Sequence, residues 1–530
     1  MKVFITLYLS VIFFTSGLAV RYGDRISYYV ILLLPFFIYL QTFLEKEKII
    51  FPKKLTLVWF GFSLFDLIAT VLSLDHQFSI ERFLLYQSAF LICVYFINKK
   101  NQLKDVVDKI IIWFAVIFTI AFIFKDKILS SVYYIDVNQA YNFFFPVYPN
   151  NNHLGIWLGM TIVLLFIQRK FIFVMVLAPF FLLSYSRSAY IGLFVTVLPA
   201  LFLIKKWKKL LWNILILSFI VFILSVAIFV PRGELLSGRG FYFREALMGF
   251  ADRPLFGYGP GNFTAISRNY AAASRGTFGS VSHNLFSDIL SGSGIFAFAF
   301  FSPFIFLILK KSRKTIHYPL LIFLLSCFMI TYIYAMPAVL ILFFILAGLV
   351  YEEREQLKLN HFGIVFAAMI FIAATYLGYS EALYLKGDQA RSLQIYPFRK
   401  EAYEEYMSQI PPDNKAEAYK YINMYKKNFP GVFEQLNYSA NTYKRIGDYE
   451  RSLEDFMTIY KNGTGFNPAI AREIHLLYLL MDDPVSSYRF SMGFVRKILS
   501  DPAKYPQMVS ETQNLCIYFN KFFLDKGSCF

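Results

Sequence analysis

The chain has 530 residues, of which 57% are hydrophobic, 20% aromatic and only 16% charged, a balance foreign to soluble globular proteins. Its formal charge of +17 does not point to nucleic acid, because much of it lies in short clusters between apolar runs, where basic residues set membrane orientation. Four cysteines, Cys93, Cys327, Cys516 and Cys529, show no metal-ligand spacing, and neither a metal nor a cofactor is expected.

Long apolar segments recur, each near the roughly 20 residues that a bilayer crossing needs. They predict spans at about 3–20, 26–44, 55–74, 83–98, 109–125, 153–168, 171–185, 187–204, 210–230, 285–309, 319–335, 338–350 and 362–380. The first lacks a small-residue cleavage site before Arg21 and reads as a retained helix. Between the spans, the basic stretches 45–54, 99–109, 169–170, 205–209 and 310–314 all fall on one side, which the positive-inside rule places in the cytoplasm. The opposite side then receives the loop 126–152, the turn Ser184–Ser188, a segment from Arg232 to Asn284, and everything after about residue 381. The expectation is an all-α polytopic protein of about 12–13 membrane helices over residues 1–380. Residues 381–530 would form a helical unit outside the cytoplasm.

Polar residues interrupt this apolar background in a few places. Tyr148 to Gly155 is an asparagine-rich cluster that opens a helix, a position asparagine caps well. Ser184 to Tyr190 is a tight polar break with Arg187 at its centre, and an ionisable group at membrane depth usually faces a cavity or a partner. The alternative is an arginine that snorkels to the interface. Asp288 sits one turn into a later helix, where it either orients an arginine or histidine or makes a plain contact between helices.

The segment from Arg232 to Asn284 is the longest non-apolar interruption. It carries Arg232, Arg239, Arg244, Arg253, Arg268 and Arg275, no lysine, and His283 at its end. A planar guanidinium grips phosphate or carboxylate oxygens bidentately, so an all-arginine loop between membrane helices suggests an anionic ligand at the membrane surface. Lipid headgroups are the plainer partners for the same arginines. Gly257, Gly259 and Gly261 lack the strand and helix context of a nucleotide loop and read as backbone turns.

Three strings, SYSRSAYIGL (184–193), SGRGFYFREALMGFADRPLFGYGPGNF (237–263) and SHNLFSDILSGSGIFAF (282–298), together resemble the O-antigen ligase/O-antigen polymerase superfamily. The helix start Asn152-His153-Leu154-Gly155 resembles the family's segment before its serine–arginine turn, and Phe243 stands where the family often has tryptophan. The resemblance implies a polytopic glycosyltransferase whose donor is a polyprenyl-diphosphate-linked glycan. Its acceptor would be a hydroxyl on lipid A core, on another glycan or on protein, at the outer face of the membrane. It implies that Arg187 and Arg239 hold the diphosphate and that His283 activates the acceptor. Arg244, Asn152, His153 and Asp288 are further candidate substrate-binding residues. Ligase, surface-polysaccharide polymerase and protein O-oligosaccharyltransferase share these motifs, and a lipid-linked saccharide transporter is the non-enzymatic alternative.

The chemistry of the residue types agrees. A sugar diphosphate carries a good leaving group, so the catalyst must mainly neutralise charge developing on the bridging oxygen, a task for clustered arginines. A histidine, with an ordinary pKa of about 6.5, suits the base for a poorly nucleophilic hydroxyl. Beyond residue 381 charges and tyrosines rise. There Ala418, Ile422 and Tyr425 recur about 34 residues later as Ser452, Phe456 and Ile459, a spacing like that of tetratricopeptide helical pairs and a surface for a protein partner. Cys516 and Cys529 would lie on that side, where a disulfide is possible.

Overall fold

The computed structural model describes residues 25–123, 151–202, 237–270, 279, 281–312, 315–353, 355–357, 361–430, 433–461 and 468–499. The predicted spans 3–20 and 210–230, together with Arg232, Arg275, Cys516 and Cys529, lie outside them. The described residues are all-α apart from one antiparallel bridge of two residues a side, Phe51–Pro52 with Gln356–Leu357. Its helices are α1 (Arg25–Leu44), α2 (Lys53–Val71), α3 (His76–Ile123), α4 (Asn151–Ile167), α5 (Phe171–Leu183), α6 (Arg187–Phe202), α7 (Ser237–Asp252) and α8 (Phe263–Tyr270). Then follow α9 (Leu285–Lys311), α10 (Tyr318–Phe328), α11 (Pro337–Val350) and α12 (Phe362–Leu385).

Burial separates lipid-facing from central helices. All 14 residues of α11 are buried, with Pro337 supplying a preset first turn and no polar side chain to satisfy. It packs against α3, while α12 packs on α1, α9 on α2, and α10 on α6. By contrast α12 exposes Val365, Met369, Ile372, Tyr376 and Tyr379, a stripe at helical spacing, and α5 exposes Ile172 and Met175. Such stripes are costly against water and ordinary against lipid. The helices α2, α9 and α12 are each long and apolar enough to cross a bilayer, and shorter apolar helices accompany them. The 24 residues of α12 rise about 36 Å, which spans a hydrocarbon core.

Two expectations need correcting. Residues 83–98 and 109–125 were expected as separate spans joined by a basic loop, yet residues 76–123 are helical throughout, including 99–109. Charge alone marked that stretch as loop; it has no glycine or proline, and lysine and glutamine are good helix formers. The second correction concerns α9, which is broken at Gly294 (φ 79°, ψ −178°) rather than continuous.

The described parts of the basic stretches 45–54, 99–109 and 310–314 nevertheless gather at one end of the bundle, and 205–209 lies outside the described residues. Lys53 and Lys54 pair with Glu355, Lys99 with Glu47 and Lys100 with Glu352, and Lys54, Lys100, Lys310 and Lys311 line a cavity of about 820 Å³ with Glu352 and Glu355. Nearby, Asp108 holds His317 at 2.8 Å and Gln168 at 3.1 Å. From this end, where Phe362 meets Phe51, α12 runs to the opposite end and delivers the C-terminal helices there.

Those helices are α13 (Gln389–Ile395), α14 (Lys400–Gln409), α15 (Lys415–Asn428), α16 (Phe433–Arg445), α17 (Tyr449–Ile459), α18 (Pro468–Leu480) and α19 (Pro484–Leu499), each packed mainly on its sequence neighbours. One turn recurs at Gly387-Asp388, Gly447-Asp448 and Asp482-Asp483, its first residue at φ 82°, 78° and 58°. The aspartate accepts from the N–H three residues on, at 3.2, 3.3 and 3.0 Å. The next serine, Ser392, Ser452 or Ser487, donates to a carbonyl twelve residues back at 2.9, 2.7 and 3.0 Å. Each turn thereby caps one helix and staples it to the one before. Ala418, Ile422, Tyr425, Ser452, Phe456 and Ile459 are all buried. The array meets the bundle through the buried Arg399–Glu381 pair, the Lys400 N–H on Gln77 at 3.2 Å, and Phe398 against His76.

His475 lies buried in this array, with the hydroxyls of Ser487 and Ser491 at 2.7 and 2.9 Å from Nδ1. Burial pushes its imidazole down to about 4, against the opposing hydrogen bond of Ser487. A depressed histidine contributes stability that is complete above about 6.5 and lost as pH falls toward the folded value, by an order of 3 kcal/mol. The midpoint of thermal unfolding in detergent should therefore drop between pH 7 and pH 4.5 more in the wild type than in His475→Gln. Equal drops would refute this.

Candidate active site

The end opposite the basic stretches holds the sequence motifs. The turn before α6 forms because Tyr185 takes a left-handed conformation (φ 49°), and Arg187 is the first residue of the new helix. Ser186 Oγ lies 3.4 Å from the side-chain oxygen of Asn152 on α4. Gly155 explains this close approach, since a Cβ there would stand 2.3 Å from that of Ser186. Asn152 and the arginine turn are thus adjacent. His153 and Arg239 are placed by their backbones, in the opening turns of α4 and α7.

His283 occupies the turn before α9 at φ 59°, a strained setting for a residue with a side chain. Asn284 caps α9, its side chain accepting from the N–H groups of Phe286 and Ser287 at 3.0 Å. Its amide also donates to Met329 O at 2.9 Å. The imidazole stacks on Tyr242, with centroids 5.2 Å apart and planes at 10°, and meets Tyr332 edge-on at 5.3 Å. Burial first, and then the charge of Glu245, raises the Tyr242 phenol above its ordinary value, so it stays neutral beside the histidine. Glu245 is buried and accepts from Ser267 Oγ at 2.5 Å. The family's aromatic position at Phe243 does not make this contact: Phe243 is 45% exposed. Helical phase is the reason, because Glu245, Ala246 and Gly249 face inward with Tyr242 at three-, four- and seven-residue spacings.

The glycine-rich loop locks α7 onto the broken helix. Gly257, Gly259 and Gly261 all have positive φ (66°, 100° and 81°). The N–H groups of Tyr258 and Gly259 donate to Ser291 O and Gly292 O at 3.0 and 2.7 Å, and Ile295 N–H returns to Pro254 O at 2.9 Å. The carbonyls freed by the break at Gly294 are thereby satisfied by the loop. The far side of the loop rests on the start of α3: Ser79 Oγ donates to Pro260 O at 3.0 Å, and the Asn262 amide reaches Asp75 O at 3.2 Å. Arg253 lies over the Tyr258 ring at 4.6 Å, and Arg244 is exposed on α7.

The sequence reading missed a buried polar cluster beneath His283. Asp288, 5% exposed, lies within hydrogen-bonding reach of Ser282 and Tyr334 and interacts electrostatically with Arg82 of α3, which also acts on the buried Asp66 of α2. So the acid of α9 does meet an arginine, but from α3 rather than from the arginine-rich loop. The available signal was Glu81-Arg82 at the edge of an apolar run. A hydrogen-bonded chain also links the two motif turns. Cys327 Sγ lies 3.5 Å from Ser188 O, next to Arg187, while Met329 O, two residues on, receives Asn284.

Residues 171–302 match the family model described as O-antigen ligase. Comparison with curated proteins and with solved structures gave no match. The matched segment contains the serine–arginine turn, the glycine-rich loop, the His283 turn and the broken helix. Residues 171–302 therefore carry an O-antigen ligase domain, and over that segment the chain is similar to the O-antigen ligase family.

Proposed function

We propose that the chain transfers a glycan from a polyprenyl diphosphate to a hydroxyl acceptor at the outer face of a bacterial inner membrane, in the manner of an O-antigen ligase. The observation that carries this reading is the His283 turn, held between Tyr242 of the arginine-bearing helix and Tyr332, inside the matched domain. In the proposed step the acceptor oxygen attacks the anomeric carbon as the bond to the diphosphate breaks. Its proton passes to His283, and polyprenyl diphosphate departs. Arg187 and Arg239, with Arg244, neutralise the charge gathering on the leaving diphosphate, while Asn152 and His153 line the substrate path and the buried Asp288 supports the His283 turn from behind. The basic stretches at one end of the bundle support a cytoplasmic assignment for it, which leaves the site and the C-terminal array outside. The helical pairs of that array fit a tetratricopeptide-type surface for an acceptor or protein partner.

The test is the glycan profile of a deletion strain, with lipid and protein fractions run side by side. Full-length chains accumulating on the lipid carrier support ligation. Single repeat units there would make the chain a polymerase, and a change confined to glycoproteins would make it a protein O-oligosaccharyltransferase. An unchanged profile in every fraction refutes transfer and leaves a scaffold.

A further inference from the structure

We infer that Arg82 is a positioning residue for the His283 turn, acting through Asp288 and the short 3₁₀ helix Tyr332–Ala335; this rests on the reading of His283 as the base. Arg82 stands in the second turn of α3, half-buried, where the motifs converge. Its Nη1 donates to Ala335 O at 3.4 Å, the last residue of the 3₁₀ helix. That helix touches the catalytic turn at two further points. Tyr332 packs on the His283 ring, and the Tyr334 hydroxyl lies 3.0 Å from Ser282 Oγ, one residue before His283. Arg82 also interacts with Asp288, Tyr86 and Tyr334, and its Cβ lies 3.5 Å from where a Cβ on Gly261 would stand.

A guanidinium at membrane depth is costly and is retained where fixed partners hold it. Here the partners are the carboxylates Asp66 and Asp288, both buried. Asp66 gives one oxygen to Ser293 Oγ at 2.6 Å, beside the break in α9, while its Oδ2 makes no hydrogen bond among the described residues. Arg82 thus bonds the 3₁₀ helix directly and acts on α2 and the broken α9 through the charges of Asp66 and Asp288. Its expected effect is on the placement of the imidazole, not on donor affinity.

The experiment uses the full-length chain in membranes, with the lipid-linked glycan that accumulates in the deletion strain as donor. Arg82→Met is expected to lower kcat by about 100-fold, the usual penalty for a misplaced catalytic group, with donor KM within about threefold of wild type. Arg82→Lys should recover part of kcat, and Tyr334→Phe, which keeps the charges and removes the hydroxyl that reaches Ser282 and Asp288, should lower kcat by about tenfold with donor KM unchanged. A raised donor KM in Arg82→Met would make Arg82 a donor-binding residue and overturn the inference, as would wild-type kcat in Tyr334→Phe. Loss of transfer in His283→Ala beside normal transfer in Arg82→Met would sink this inference alone. Normal transfer in His283→Ala would sink the base itself.

Discussion

Replacing His283 with alanine is expected to reduce glycan transfer by at least about 100-fold, the lower end of what a positioned general base contributes. The attacking hydroxyl is a poor nucleophile, and the neighbours packed on the imidazole are the aromatic rings of Tyr242 and Tyr332. Arg239→Ala should cost about 100- to 1000-fold, as removal of one preorganised donor to a developing anion does. Tyr242→Phe should retain most activity, because the stacked ring rather than the hydroxyl supports the imidazole, whereas Tyr242→Ala should lose it. The assay is transfer from lipid-linked glycan in membranes of the deletion strain, with each variant compared at equal protein level. Normal transfer by both His283→Ala and Arg239→Ala would remove the proposed site altogether.

Much of the architecture was legible because bilayer physics writes itself into sequence at long range. Apolar runs marked α2, α9 and α12, and Ser184–Ser188 marked a break that the left-handed Tyr185 makes real. What sequence hid were local choices with the same composition. The charged stretch 99–109 reads as a loop by hydropathy and as a helix by propensity, and propensity prevailed. Phe243 and Tyr242 are one position apart, and only helical phase decides which ring reaches His283. Arg82 was lost at the edge of a predicted span, because its meaning depends on Asp66 and Asp288, which lie on other helices.

The break in α9 was written in Ser291-Gly292-Ser293-Gly294, and its partner lies some 35 residues earlier in the glycine-rich loop. Gly257→Val is expected to separate the two. A Cβ at Gly257 would lie 2.4 Å from Gly292 O, a backbone atom that cannot rotate away, and φ of 66° is strained for any branched residue. Relief requires the loop to lift off, which forfeits the bonds from Tyr258 and Gly259 N–H to Ser291 O and Gly292 O. Strain and lost bonds together amount to about 3 kcal/mol, concentrated beside the His283 turn. The loop also carries α7, and with it Tyr242, so transfer should fall by roughly 100-fold as that ring is displaced. Ser293, fully buried, reports the structural event directly. A cysteine placed there should resist a membrane-impermeant maleimide in the parent and react in Gly257→Val. Gly240→Ala supplies the contrast, since a Cβ at Gly240 meets nothing within 4 Å and activity should be unchanged. An active Gly257→Val with Ser293→Cys still protected would mean that the loop does not hold the broken helix.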